Sequence, residues 1–364
     1  MVAGFLKGLR VLDMSQYLPG PYAARMLADM GAEVVKVEPP GGDPVRNLDA
    51  EGKPGESPFY GIVNAGKTIV TIDLKSAEGR AEFVDLVRLA DILLESYRPG
   101  AMERLGFGPA RLKEINPGLI HCALSGFGQT GPARLASGHD LNYEAMTGGL
   151  SICGTAETPV IPFPPMADYA GALQAVIAVL GALVGRDHGS PGCYLDVSLM
   201  ESLLAWQELG MALPATRAGG LINGGAAGYQ VYRTADGGFV SLSPLEPKFW
   251  ANFCTAVGRP DWIERRFEPM PQTALIGEVQ ALFASQPRAY WEALLDPAEC
   301  CFQAILEYDE LENHPHHRVR GLLQRRGRFK EVLFPVLVDE QPPQARTAVR
   351  DASLADVLAA WKKR

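Results

Sequence analysis

The chain has no CxxC spacing, no Walker A run, no complete dinucleotide fingerprint and no long apolar segment at its start. Each absence excludes something. The six cysteines, Cys122, Cys153, Cys193, Cys254, Cys300 and Cys301, are scattered, and none joins a ligand-spaced His/Cys cluster. Most of them read as small buried core residues of a protein in a reducing cytoplasm, and zinc or disulfide roles do not fit their spacing, so no metal is expected. Lys and Arg number 34 against 42 Asp and Glu, for a net charge of −8. That balance offers no general attraction for nucleic acid or an anionic membrane, so an anionic ligand must find local basic residues. Residues 1–8 lack an apolar core followed by a cleavage site, and no secretory leader is expected. The most apolar stretch, 171–185, reads as too short and too rich in Ala and Gly to span a bilayer. Gly126 and Gly128 lack a third glycine at the right spacing, and no helix follows them at once. A dinucleotide cofactor is therefore unsupported.

What is present is a chain of 364 residues, 47% hydrophobic, enough for two domains or one large α/β unit. Residues 9–14 read as a buried strand, Gly20-Pro21 opens a helix over 22–30, and 33–38 read as a second strand. A strand–helix–strand unit this short is a βαβ crossover with parallel strands. The pattern repeats with strands at 68–74, 92–96, 119–124 and 192–198 and a helix at 77–89. Several strands run into Gly/Pro loops, at 39–44, 97–100 and 125–131, which form one rim of a parallel sheet. That rim is where α/β sheets place ligands. Small residues fill a helix over 168–184, which suits close packing, and 199–213 read as another long helix. The Gly-rich run 218–228 marks a domain boundary. Beyond it, 229–234 and 238–243 form a hairpin, with helices at 247–257, 276–285 and 289–295. A β element at 322–335 and a C-terminal helix capped by Ser353 close the chain.

The chemistry centres on 138–171. Asp168 stands at or beside a helix start, where the commonest use of an aspartate is as an N-cap. The same helix end offers free N–H groups and a partial positive charge, which could hold an oxyanion while the carboxylate handles a proton. His139 alone is ambiguous, with Asp140 and Asn142 as potential partners. Glu246, in Ser243-Pro244-Leu245-Glu246-Pro247, reads as a residue at a helix start that favours the dipole. Arg46, Lys67, Arg98, Arg104 and Arg134 supply local positive charge at the rim.

Three stretches then carry a resemblance: the segment 9–38, Glu95-Ser96-Tyr97-Arg98-Pro99-Gly100, and Ser125-Gly126-Phe127-Gly128-Gln129-Thr130-Gly131-Pro132. The chain resembles the family III CoA-transferases, the CaiB/BaiF group, over nearly its whole length. Gly138-His139-Asp140-Leu141-Asn142-Tyr143, Ala167-Asp168-Tyr169-Ala170-Gly171 and Leu245-Glu246-Pro247-Lys248-Phe249-Trp250 resemble its α-methylacyl-CoA racemase branch. The resemblance implies an α/β fold: a Rossmann-like large domain with a parallel sheet, formed by 1–217 and the returning 322–364, and a smaller α+β domain at 218–321. It implies an interlocked homodimer with the active site shared between subunits. It implies an acyl-CoA thioester partner, with coenzyme A as part of the substrate and no prosthetic group. CoA contacts would fall to Arg46, Lys67, Tyr97, Arg98, Arg104 and Gly126. The implied reaction is epimerisation at C2 of a 2-methylacyl-CoA through an enolate. His139, oriented by Glu246 and supported by Asp140, serves one face and Asp168 the other, with helix amides holding the enolate. The transferase alternative makes Asp168 a nucleophile that passes through an aspartyl-CoA intermediate. The Gly224–Tyr229 spacing and Gln16 leave that alternative open, and non-catalytic acyl-CoA binding is a third.

Overall fold

Strands β1 (Arg10–Met14), β2 (Glu33–Glu38), β3 (Thr68–Thr71), β4 (Ile92–Glu95), β5 (Ile120–Ser125) and β6 (Tyr194–Ser198) pair in parallel. The central strands β1, β4 and β5 are buried along almost their whole length, as strands covered on both faces are, whereas β6 exposes Tyr194 and Asp196. A short strand, Arg350–Asp351, joins the outer edge beside β3. The order from that edge is β3-β2-β1-β4-β5-β6, so the direction of strand addition reverses between β1 and β4. The computed structural model describes residues 4–48, 57–213, 216–326 and 329–363. The described chain divides into two compact units. The first comprises 1–144, 164–205 and 312–364, and the second 145–163 and 206–311.

In the first unit, one face of the sheet packs under the helices Pro19–Asp29 and Met166–Asp187 through Val11, Leu94, Cys122, Ala23, Ala170 and Ala175. The other packs under Ala77–Leu89 and Leu354–Lys362 through Leu12, Leu93, Phe83, Leu86 and Trp361. The helix Met166–Asp187 is longer than the sequence suggested. At 22 residues with mean hydropathy 1.7, it is long and apolar enough to cross a membrane by length and composition. Its small residues instead serve close packing in this core. A Cβ on Gly171 would lie 2.2 Å from Leu199 Cδ2.

The second unit has an antiparallel sheet of Gln230–Arg233, Phe239–Leu242 and Phe302–Ala304, in that order. Trp250, Phe253, Trp262, Phe283 and Trp291 form its core. The expected pieces, 1–217, 218–321 and 322–364, thus meet a different division. Residues 145–163 join the second unit because Arg217 donates to Thr155 O and Ser151 O, and Asn223 to Ile152 O. The single helix expected over 199–213 is instead Leu199–Leu204, a 3-10 turn at Ala205–Gln207, and Glu208–Ala212. The break falls where the chain leaves the first unit.

Candidate functional site

The reversal between β1 and β4 is the point where loops on the two sides of an open sheet diverge and leave a crevice at the strands' carboxyl ends. Here the β1 end runs into Ser15-Gln16-Tyr17 and the β4 end into Ser96-Tyr97-Arg98. The two ends are tied together, since Gln16 N donates to Ser96 Oγ at 2.9 Å. Tyr17 takes φ = 64°, a left-handed conformation rare for an aromatic residue, and is 54% exposed. Such strain costs about 1–3 kcal/mol and is held by surrounding structure. Here the holders are Ser15, whose N and Oγ donate to Asp13 Oδ1, and Lys36, which donates to Ser15 O at 2.5 Å.

A cavity of about 320 Å³ opens at this point. From the expected set, Tyr97, Arg98, Gly126, His139 and Asp168 line it, and so does Arg134. Gln16, Tyr17, Phe127 and Tyr143 also contribute. Burial pushes the Tyr97 phenol up to about 12, so it is a hydrogen-bond donor at neutral pH. Arg98 is exposed and donates to Leu135 O.

Asp168 is the third residue of its helix. Pro165 holds the N-cap position, so Asp168 is not the cap. The cap comes from the helix Asp140–Met146. Asp140 Oδ1 accepts the amides of Ala167 at 2.7 Å and Asp168 at 3.0 Å, and Glu144 Oε1 accepts that of Met166 at 3.3 Å. These amides were expected to be free for an oxyanion. They are engaged, because two acidic side chains one turn apart both reach this helix start. Asp140 therefore faces the Asp168 helix, where a role supporting His139 was expected. Burial, with the Asp140 charge second, pushes the Asp168 carboxyl up to about 7. A carboxyl so placed can give or take a proton near neutral pH.

His139 is exposed and immediately precedes the Asp140 helix, whose first turn closes with Asn142 N donating to His139 O at 2.8 Å. Asn142 Oδ1 accepts the His139 amide at 3.0 Å. The loop before it is held by Tyr143, whose hydroxyl donates to Gly138 O at 2.6 Å. Gly126 makes room for that ring, since a Cβ there would lie 2.4 Å from the Tyr143 hydroxyl oxygen.

The remaining expected residues lie elsewhere. Lys67 is 1% exposed and donates to Asp13 Oδ2, Pro21 O and Asn64 Oδ1 at 2.7–2.9 Å. It precedes β3 at its amino end, and its charge serves the interior, not the rim. Arg46 donates from Nε to Glu38 Oε2 at 2.6 Å and lies over the Tyr60 ring at 4.3 Å, so its charge is already paired. Arg104 is exposed in the last turn of Ala101–Leu105 and does not line the cavity. Glu246 belongs to the second unit, as the exposed N-cap residue of Pro247–Ala256, without a side-chain cap bond. Among the described residues no group of three or more His, Cys, Asp or Glu is placed to hold a metal.

A family profile described as CoA-transferase family III matches residues 6–349. The chain belongs to this family. It is 33% identical over 325 residues to the α-methylacyl-CoA racemase of Homo sapiens, covering 87% of this chain and 81% of that one. It is 31% identical over 338 residues to the acetyl-CoA:oxalate CoA-transferase of Acetobacter aceti, covering 89% and 86%. A crystal structure of a CAIB/BAIF family protein from Brucella suis superposes with TM-score 0.82 at 26% identity, covering 98% of both chains. The fold is therefore that of CoA-transferase family III, an enzyme family that includes racemases and CoA-transferases acting on CoA substrates.

Proposed function

We propose that this enzyme epimerises a 2-methylacyl-CoA at C2 with two bases, one taking the α-proton and the other supplying a proton to the opposite face. The observation that carries this reading is Asp168, a carboxyl raised to about 7 in the same cavity as His139. A nucleophile for CoA transfer works as the carboxylate, whereas an acid–base pair needs a group poised between its two forms. Asp168 serves one face of the α-carbon and His139 the other. One base removes the α-proton, and the other delivers a proton to the opposite face of the enolate. The first-turn amides are committed to Asp140 and Glu144, so the enolate charge falls to the protonated partner base and Tyr97. Arg98 and Arg134 give the cavity its attraction for the phosphates of coenzyme A.

The reading includes a homodimer in which Glu246 orients His139, a part that rests on family resemblance. It also includes a reducing cytoplasmic setting, in keeping with six free cysteines. Transfer of CoA through an aspartyl-CoA at Asp168 is the competing reading, supported by the likeness to the Acetobacter enzyme. The deciding experiment incubates one epimer of a 2-methylacyl-CoA in D2O. Deuterium at C2 together with epimerisation is expected, and His139→Ala abolishes both. CoA movement to an added carboxylate without exchange overturns the proposal.

A further inference from the structure

Glu144 moves no proton in the scheme above, yet it is 2% exposed and bonded to the helix that carries Asp168. Asp140 and Glu144 stand four residues apart on one helix, so they share a face. Together they accept three consecutive amides, from Met166, Ala167 and Asp168. The two carboxyl groups therefore act side by side on one turn, Asp140 Oδ1 on two amides and Glu144 Oε1 on the third.

We propose that Glu144 is a positioning residue: its buried carboxyl holds the Met166 amide beside the two that Asp140 holds, and so fixes the turn carrying Asp168. This rests on Asp168 acting in proton transfer. Burial first, and Asp140 second, push the Glu144 carboxyl up to about 7. The titratable groups around the pair are Tyr143 on its own helix, His139 before it, and Asp168 and Tyr169 on the Met166 helix. Tyr169 in turn packs edge-on against Tyr22, over which Arg25 lies. A carboxyl raised above its unfolded value contributes stability fully at low pH and loses it as pH rises through the folded value, here about 7. Above that pH Glu144 carries its negative charge in a buried place.

Two variants test this. Glu144→Gln keeps an acceptor for Met166 but cannot ionise. Its Tm should match the wild type near pH 4, exceed it increasingly as pH rises to about 7, and keep that lead at pH 8.5. Glu144→Leu loses the Met166 bond, so its Tm should fall below that of Glu144→Gln at every pH. In the D2O exchange assay it should lose about tenfold or more in kcat with little change in KM, as expected for a displaced acid–base group. The proposal is overturned if Glu144→Gln is as damaged as Glu144→Leu at pH 6, or if its Tm tracks the wild type across the pH range. Wild-type kcat in Glu144→Leu overturns it too. Failure of the underlying reading looks different: Asp168→Asn then keeps full exchange, while the Tm differences at Glu144 persist.

Discussion

Gly126→Ala separates two uses of one glycine. The family resemblance gave Gly126 to coenzyme A, whereas the structure gives the space to Tyr143. An added Cβ would lie 2.4, 2.6 and 2.7 Å from the Tyr143 Oη, Cζ and Cε1 atoms. No rotation of a hydroxyl relieves that, because ring carbons are involved. The ring must move, and it is wedged edge-on against Phe127 at 5.0 Å. Overpacking of this kind costs about 1–3 kcal/mol. Displacing the ring also breaks the Tyr143–Gly138 hydrogen bond, a further ~1 kcal/mol. The expected total, about 2–4 kcal/mol, lowers Tm by roughly 5–15 °C for a unit of this size. Differential scanning calorimetry of Gly126→Ala, Tyr143→Leu and the double variant measures it. Removing the ring should relieve most of the cost, so the double variant should be far less than additive. Tyr143→Phe should relieve little, since only the hydroxyl leaves. Full additivity, or an unchanged Tm accompanied by a raised KM for acyl-CoA, refutes the reasoning and returns Gly126 to the ligand.

Other outcomes follow from the same geometry. Asp140→Asn removes the like charge beside Asp168, so the pH–rate limb assigned to Asp168 should move from near 7 toward lower pH, read from kcat/KM profiles. Lys67→Met removes the cation bonded to buried Asp13, leaving only Ser15 and the Lys36 charge to hold it, and should cost about 3 kcal/mol in urea unfolding. Weakened CoA affinity with full stability would contradict this burial. Glu95, 4% exposed, is pushed up to about 7 by burial, so its stabilising contribution is complete in acid and fades as pH rises through 7. Glu95→Gln should flatten the fall in Tm between about pH 4.5 and 7, and an unaltered slope there counts against the assignment.

The sheet was legible because its strands are short apolar runs separated by turn residues at regular spacing. The βαβ start, the helix Ala77–Leu89 and the Ser353 cap, which accepts the Asp356 amide, all follow from local rules. Charge placement was less legible. Lys67 and Arg98 look alike as residues near predicted strands, yet one precedes β3 and turns inward while the other follows β4 and stays exposed. Position relative to the strand's carboxyl end was the usable signal. The cap on the Asp168 helix was hidden because its two acids lie 28 and 22 residues upstream. Only the i,i+4 spacing of Asp140 and Glu144 hinted that they act on one object. Tyr17 carried no signal at all, since nothing in its neighbours announces a left-handed backbone.

The small edge strand Arg350–Asp351 bears on how the chain comes to be folded during synthesis. It pairs with β3 some 280 residues earlier, and nearby Arg346 clasps Asp29 through two hydrogen bonds at 2.6 and 2.7 Å. The ribosome delivers β3 long before it delivers that partner. Throughout the interval β3 is an open sheet edge, the kind of surface on which foreign strands can add. The second unit, whose larger piece is continuous from 206 to 311, emerges within that interval and has all its residues available first. Truncation before residue 346 therefore leaves the unit that houses Asp168 permanently at the stage every nascent chain must pass through.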